Sequence, residues 1–179
     1  MNDQVLPILI KRSREGDTDA FRCIFERLND RLFQYARAHT VARDDALDIV
    51  QDTFIDIWKS LNGFAYRSDE AFYGFVFVIL KRKIARYRRI NAIRASLPFN
   101  EKIANEASYE IEREDYRFVM KALERLATDY QELLKLRYWS DMSFAEIALV
   151  MNITEGTAKV RHHRALQKLK DYTANVYEQ

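Results

Sequence analysis

Cysteine is almost absent. The one thiol, Cys23, excludes an internal disulfide and any multi-cysteine zinc site. It lies among Phe21, Ile24 and Phe25, so it is expected to be a small buried apolar residue. Glycine and proline are scarce too, at 4 and 2 in 179 residues, which argues against an all-β fold with many tight turns and favours long helices. No apolar run approaches the ~20 residues that cross a bilayer. The longest, Phe72 to Leu80, falls well short, so no membrane insertion is expected. Met1 to Leu9 is too short and too acidic for a secretory signal, and the chain is read as cytoplasmic. Gly-rich phosphate loops, paired metal-ligand motifs and nucleophile–base patterns are missing, so neither catalytic residues nor a cofactor are expected. A surplus of one charge is missing as well: Lys plus Arg number 29 and Asp plus Glu 27, a net of +2. What is present is a chain with 48% hydrophobic and 31% charged residues, enough to bury the core of one ordinary domain or two small ones.

Helical periodicity runs through most of it. Phe21, Ile24, Phe25, Leu28, Leu32, Phe33, Tyr35 and Ala36 recur at spacings of three and four, behind a break at Gly16 and an N-cap at Asp17. A second helix spans about Asp44 to Leu61, with Ala46, Val50, Phe54, Ile57 and Leu61 on its buried face. Asn62-Gly63 would end it with left-handed geometry. Ser68, Asp69 and Glu70 open a third helix that reaches Arg89 or Arg94, with Phe72, Val76 and Ile79 assigned to the core. Periodicity fades from Ser96 to about Glu110, which reads as an exposed linker. It returns with Tyr116, Val119, Met120, Leu123 and Leu126. Thr128 and Gln131 then form a capping-box pattern ahead of Leu133, Leu134, Leu136 and Tyr138.

From Ser143 to Lys170 the pattern is that of a helix-turn-helix. Ser143-Phe144-Ala145-Glu146 is a capping box opening a short helix with Ile147, Ala148 and Val150 at core spacing. Asn152 can enter the left-handed region at the turn, Ile153 can bury inside it, and Thr154 can cap the next helix. In that helix Ala158, His162, Ala165, Leu166 and Leu169 share one face. Lys159, His163 and Gln167 lie on another, with Val160, Arg164 and Lys168 beside them. A basic outer face on the second helix suits a major-groove reader, and the backbone N–H groups of Gly156 and Thr157 would face phosphate. A generic helical hairpin would need far less agreement among capping box, turn residue and basic face. Adjacent residues point about 100° apart on a helix, so His162 and His163 cannot chelate a metal together.

Charge is segregated in the first half. Asp44, Asp48, Asp52 and Asp56 repeat every four residues and form an acidic stripe flanked by Gln51, Ile55 and Trp58. Like charges at this spacing cost a few tenths of a kcal/mol per pair. A solvated face would explain the acids alone, but a Trp beside them suits an anchor for a basic protein partner. The third helix is the reverse. Lys81, Arg82, Lys83, Arg86, Arg88, Arg89 and Arg94 follow one another without an acid, and Phe75 and Tyr87 are left open between core and surface. Basic residues with interleaved aromatics suit melted DNA. The loop Phe64-Ala65-Tyr66-Arg67-Ser68 adds aromatics and an arginine.

This constellation resembles the extracytoplasmic-function (ECF) sigma factors of bacterial RNA polymerase. The likeness rests on Gly16-Asp17 with Ala20-Phe21, on Asp48 through Trp58, and on Leu123-Glu124-Arg125-Leu126. Leu136-Arg137-Tyr138, Ser143 through Ala148, and Gly156 through Ala165 extend it. It implies an all-α chain of two helical domains joined by a linker, the C-terminal one a helix-turn-helix of winged-helix-like or sigma region 4 type. Residues 1–95 would be region 2-like, 96–112 the linker and 113–179 region 4-like. By position, Asp48, Gln51, Asp52 and Ile55, with Trp58 beside them, would dock on the β′ clamp helices. Phe64, Tyr66, Arg67, Lys81, Arg82, Arg86 and Arg89 would capture the minus-ten element. Lys159, Val160, His163 and Arg164 would read the minus-thirty-five element, with Gly156 and Thr157 near phosphate and Lys168 alongside. The implied partners are core RNA polymerase, through the clamp helices and the β flap, promoter DNA, and an anti-sigma factor. Arg82 and Arg86 replace the family's usual Asn and Asp, Phe75 a Trp, Val160 a Ser and His162 an apolar residue, so the family's base preferences do not transfer. The alternative is a stand-alone dimeric helix-turn-helix regulator whose first domain senses a ligand or dimerises.

Overall fold

A computed structural model describes residues 5–95 and 114–177, so the expected linker lies outside the described residues. The chain divides into two compact units, residues 1–105 and 106–179. No strand forms among the described residues.

The first unit opens with a helix that the periodicity did not announce, α1 (Val5–Arg14). Its buried stripe is only Leu6, Ile10 and Ser13, and Pro7 sits in the first turn, where a missing N–H costs nothing. Gly16 turns the chain at φ 91°, and Asp17 caps α2 (Thr18–Arg37) by accepting from the backbone N–H groups of Asp19 and Ala20, each at 3.0 Å. The Ala20 N–H and the Arg12 guanidinium hold the Asp17 carboxyl below its ordinary pKa. The stabilisation is therefore present above the ordinary carboxylate range and lapses as pH falls through the lowered value. Ala20, Ile24, Leu28, Leu32, Tyr35 and Ala36 are buried. Cys23, expected in the core, is exposed, because it lies about 100° around the helix from Ile24.

Helix α3 (Arg43–Ser60) buries Ala46, Val50, Phe54 and Ile57 as its pattern requires, together with Ile49 and Thr53. The Thr53 hydroxyl is satisfied by the Ile49 carbonyl at 2.7 Å. The helix does not stop in left-handed geometry at Asn62-Gly63. It tightens into a 3-10 turn, Leu61–Gly63, whose first carbonyl accepts from Phe64 N–H and the Arg14 side chain. Ser68 then caps α4 (Asp69–Ala95), its Oγ accepting from Ala71 N–H at 3.2 Å. Phe72, Val76, Phe77 and Leu80 are fully buried on α4, and Phe77 meets Tyr35 edge-on at 5.5 Å. The helices pack in chain order, α1 on α2, α2 on α3 and α3 on α4.

The second unit comprises α5 (Glu114–Glu124), α6 (Thr128–Tyr138), α7 (Phe144–Met151) and α8 (Glu155–Tyr177), with α5, α6 and α7 all packing on α8. The expected capping box at Thr128 is absent. Ala127 is the N-cap, and Gln131 instead donates to the carbonyls of Glu124 and Leu126, closing the end of α5. The box at Ser143 does form: Glu146 N–H donates to Ser143 Oγ at 3.2 Å and Ser143 N–H to Glu146 Oε2 at 2.6 Å. Ser143→Ala is expected to destabilise this unit by ~1 kcal/mol, read by denaturant unfolding followed at Trp139. Asn152 takes φ 54°, ψ 50° at the turn, Ile153 is half-buried, and Thr154 caps α8. Ala158 and Ala165 are fully buried where α8 meets its neighbours. Leu166, expected beside them, is exposed because it lies about 100° around the helix from Ala165.

Candidate protein and nucleic-acid interfaces

Leu47, Gln51, Ile55 and Trp58 fall at spacings of four, four and three on α3, and all four are exposed. With Phe21 and Phe25 of α2 they line an open groove of ≈ 490 Å³ floored by Val50 and Phe54. Phe21 meets Trp58 edge-on at 4.8 Å, and Phe25 packs on Phe54 at 4.5 Å. Periodicity placed Phe21 and Phe25 on the same apolar face as Ile24 and Leu28. The signal that could have moved them was the width of the apolar surface on α2, wider than one buried stripe needs. Asp44, Asp48 and Asp52 are exposed on the same helix; Asp48 and Asp52 directly follow the groove residues Leu47 and Gln51. Asp56 is not available in the same way. Lys83 of α4 reaches its carboxylate at 2.6 Å and that of Asp52 at 3.8 Å. Lys83, read with the basic run, thus faces the acidic stripe.

A second face runs along α4. Phe75, Arg82, Arg86 and Arg89 follow at spacings of seven, four and three, so one side of the helix carries an aromatic and then three exposed arginines. Phe64 stacks on Phe75 at 4.7 Å and 29°, and meets Phe72 edge-on at 5.6 Å. Phe64, Ala65, Arg67 and Phe75 line a pocket of ≈ 510 Å³ at this end. Tyr66 is half-buried and donates its hydroxyl to Asp69 Oδ1 at 2.6 Å, which pins the loop to the start of α4. Arg67 is exposed; Lys81 is half-buried and lies off the Arg82–Arg89 stripe. Tyr87 is committed to packing: its hydroxyl donates to Asp45 Oδ2 at 2.8 Å, and burial, with that carboxylate, raises its pKa.

On α8 the residues Gly156, Lys159, Val160, His163 and Arg164 are exposed together on the side away from the buried Ala158 and Ala165. Lys159 pairs along the helix with Glu155 at 2.7 Å. Thr157 departs from expectation, since its N–H is already donated to Thr154 Oγ1 at 3.1 Å. Lys168 is exposed but sits 6.0 Å over the ring of Tyr130 on α6, on the flank of this face. Arg161 ties the same flank to Asp129 at 3.1 Å. His162 is half-buried, with Nε2 3.1 Å from the Tyr138 hydroxyl and its ring edge-on to Phe144 at 5.2 Å. Burial, then the neighbouring Arg137 and His163, lower its pKa. No group of three His, Cys, Asp or Glu side chains suited to a metal occurs among the described residues, and no described helix is long and apolar enough to cross a membrane.

These units correspond to known ones. Residues 24–92 match the family model of sigma-70 region 2, and residues 119–169 that of sigma-70 region 4. The chain is 32% identical over 171 residues to the RNA polymerase sigma factor NccH of Alcaligenes xylosoxydans xylosoxydans, covering 90% of each chain. It is 25% identical over 167 residues to the ECF sigma factor BldN of Streptomyces coelicolor, covering 90% of this chain but only 63% of that longer relative. Among solved structures, CnrH in complex with the cytosolic domain of CnrY superimposes with a TM-score of 0.70 at 26% identity, covering 94% of this chain and 96% of that one. The sigma factor RpoE of Bartonella quintana in complex with the anti-sigma factor NepR gives 0.61 at 25% identity, covering 85% and 95%. With regions 2 and 4 matched in order and a close likeness to NccH over nearly its whole length, the chain belongs to the extracytoplasmic-function sigma factors, the subunits that direct bacterial RNA polymerase to promoters.

Proposed function

We propose that residues 1–95 dock on core polymerase and hold melted minus-ten DNA, while residues 113–179 read the minus-thirty-five duplex. The observation that carries this reading is the placement of two unlike faces on one unit: an acid-edged apolar groove on α2–α3, and the Phe64–Phe75 stack continued by Arg82, Arg86 and Arg89 on α4. Asp48, Gln51, Asp52, Ile55 and Trp58 contact the β′ clamp helices. The acids select a basic partner, and Trp58 with the groove supplies apolar area. The stacked pair receives an unstacked base while the arginines follow the strand. Lys159, Val160, His163 and Arg164 face base edges in the major groove, and the β flap supports this unit. The work is binding; the chain is not an enzyme, and it acts in the cytoplasm with the polymerase. Free in solution it binds promoters weakly, because the two DNA contacts are not yet held in register. An anti-sigma protein is a further partner, by analogy with the NepR complex of the Bartonella sigma factor. The matches to sigma-70 regions 2 and 4 favour this reading over the stand-alone regulator, which is set aside.

Run-off transcription with core polymerase on a promoter library tests the whole reading. Initiation should concentrate on promoters that share two spaced elements; sequence-independent initiation would overturn it. In the same assay Arg164→Ala should lower use of the best promoters by ~10–100-fold and relax selection at one upstream position, as loss of a base contact worth ~1–3 kcal/mol requires.

A further inference from the structure

We propose that Tyr138 is an additional DNA-binding residue of the second unit, donating its phenolic hydrogen to a backbone phosphate, and that His162 is the residue that positions it. The inference rests on reading α8 as the upstream reader.

Tyr138 ends α6 and is 58% exposed, unusual for an aromatic that also has a fixed partner. Its hydroxyl meets His162 Nε2 at 3.1 Å, and its ring lies 5.8 Å from the imidazole at 32°. His162 is adjacent to His163 and three residues from Lys159, so Tyr138 is held on the flank of α8 that leads to the proposed reading face. The opposite flank is occupied by Arg161 and Asp129. The connection after Tyr138 is tied back on α6: Met142 N–H donates to Leu136 O at 3.2 Å, and Arg137 Nη1 to Met142 O at 2.6 Å. Asp141 takes φ 48° to allow this. Phe144, at the start of α7, closes against His162 from the other side. In a helix-turn-helix the first helix, here α7, crosses the DNA backbone. Tyr138 precedes that helix and is joined to its start through His162 and Phe144, which is why its hydroxyl is proposed to meet a phosphate there.

The protonation chemistry fits. Burial, then the neighbouring Arg137 and His163, lower the pKa of His162 and favour its neutral form. We take the tautomer with the proton on Nε2, in which the imidazole donates to the phenol oxygen and the phenolic hydrogen is left for an anionic acceptor. A neutral donor of this kind adds affinity without sequence preference and without releasing a counterion.

The test uses the full chain assembled with core polymerase and fluorescent duplexes carrying upstream elements recovered by promoter selection. Tyr138→Phe should weaken binding about tenfold on every duplex, with an unchanged slope of log affinity against log salt. His162→Leu, which removes the donor while keeping an apolar filling, should match it. His162→Gln, which keeps an N–H donor at similar reach, should recover most of the loss. Tyr138→Phe binding within twofold of the parent, while Arg164→Ala still loses affinity, would overturn this proposal alone; if neither loses affinity, the reading of α8 falls with it. A loss confined to one sequence would overturn the phosphate assignment. His162→Leu binding like the parent would overturn the positioning role.

Discussion

Asp52→Arg is expected to abolish assembly with core polymerase, lowering affinity at least ~100-fold while the helices stay folded. The side chain is 63% exposed, so the change meets no packed core. Asp52 stands 3.8 Å from Lys83, but Lys83 makes its close contact, 2.6 Å, with Asp56 and keeps it when Asp52 is lost. The new guanidinium would stand beside Gln51, next to the groove bordered by Ile55 and Trp58, and face the basic surface that the stripe is proposed to select. Like charges brought together at an interface cost several kcal/mol, and each 1.4 kcal/mol is tenfold in affinity. Fluorescence anisotropy against purified core polymerase reads the loss, and circular dichroism reads the fold. A variant that assembles like the parent would remove α3 from the docking surface.

The caps that formed are those whose partners lie within three residues: Asp17, Ser68, Ser143 and Thr154 each accept from a backbone N–H two or three positions on. Local chemistry decides these, and the sequence contains all of it. The left-handed turn at Asn152 belongs with them. Thr128 has the same local signature and does not cap: the helix starts after Ala127, whose carbonyl takes the Gln131 N–H, and the Gln131 side chain finds the Glu124 and Leu126 carbonyls at the end of α5, which no pattern of spacing reveals. Periodicity located the buried stripes of α2 and α3 but not their edges. Phe21, Phe25 and Cys23 sit within one helical step of buried positions, and only the placement of α3 decides that two rings line a groove while the thiol meets solvent. Lys83 shows the same limit in charge. Its charged neighbours in sequence are all basic, and its pairing with Asp56 depends on α3 and α4 packing together. The basic run on α4 was visible in the sequence, but the side of Phe75 was left open there, and its place beside the arginine stripe came from the stacking of Phe64 on Phe75, a contact across the turn between two helices. Helix α1 escaped notice because its three-residue stripe is too short to stand out as a period.

Phe72→Ala joins stability to the DNA face. Phe72 is fully buried and meets Phe64 at 5.6 Å and Phe75 at 6.3 Å, so its ring is the floor on which the stacked pair rests. Removing it opens a cavity in the first unit and should cost ~3–5 kcal/mol there. The chain carries two tryptophans, Trp58 in the first unit and Trp139 in the second, so each unit has its own fluorescent reporter. In single-Trp versions the denaturant midpoint seen at Trp58 should fall sharply, and the one at Trp139 should stay in place. A matching fall at Trp139 would mean that the two units unfold as one. At a temperature where the variant remains folded, upstream duplex binding should persist with core polymerase. Strand opening, followed by permanganate reactivity of unpaired thymines, should be lost with the seat of Phe64. Opening at the parental level would mean that the Phe64–Phe75 stack does not hold the melted strand.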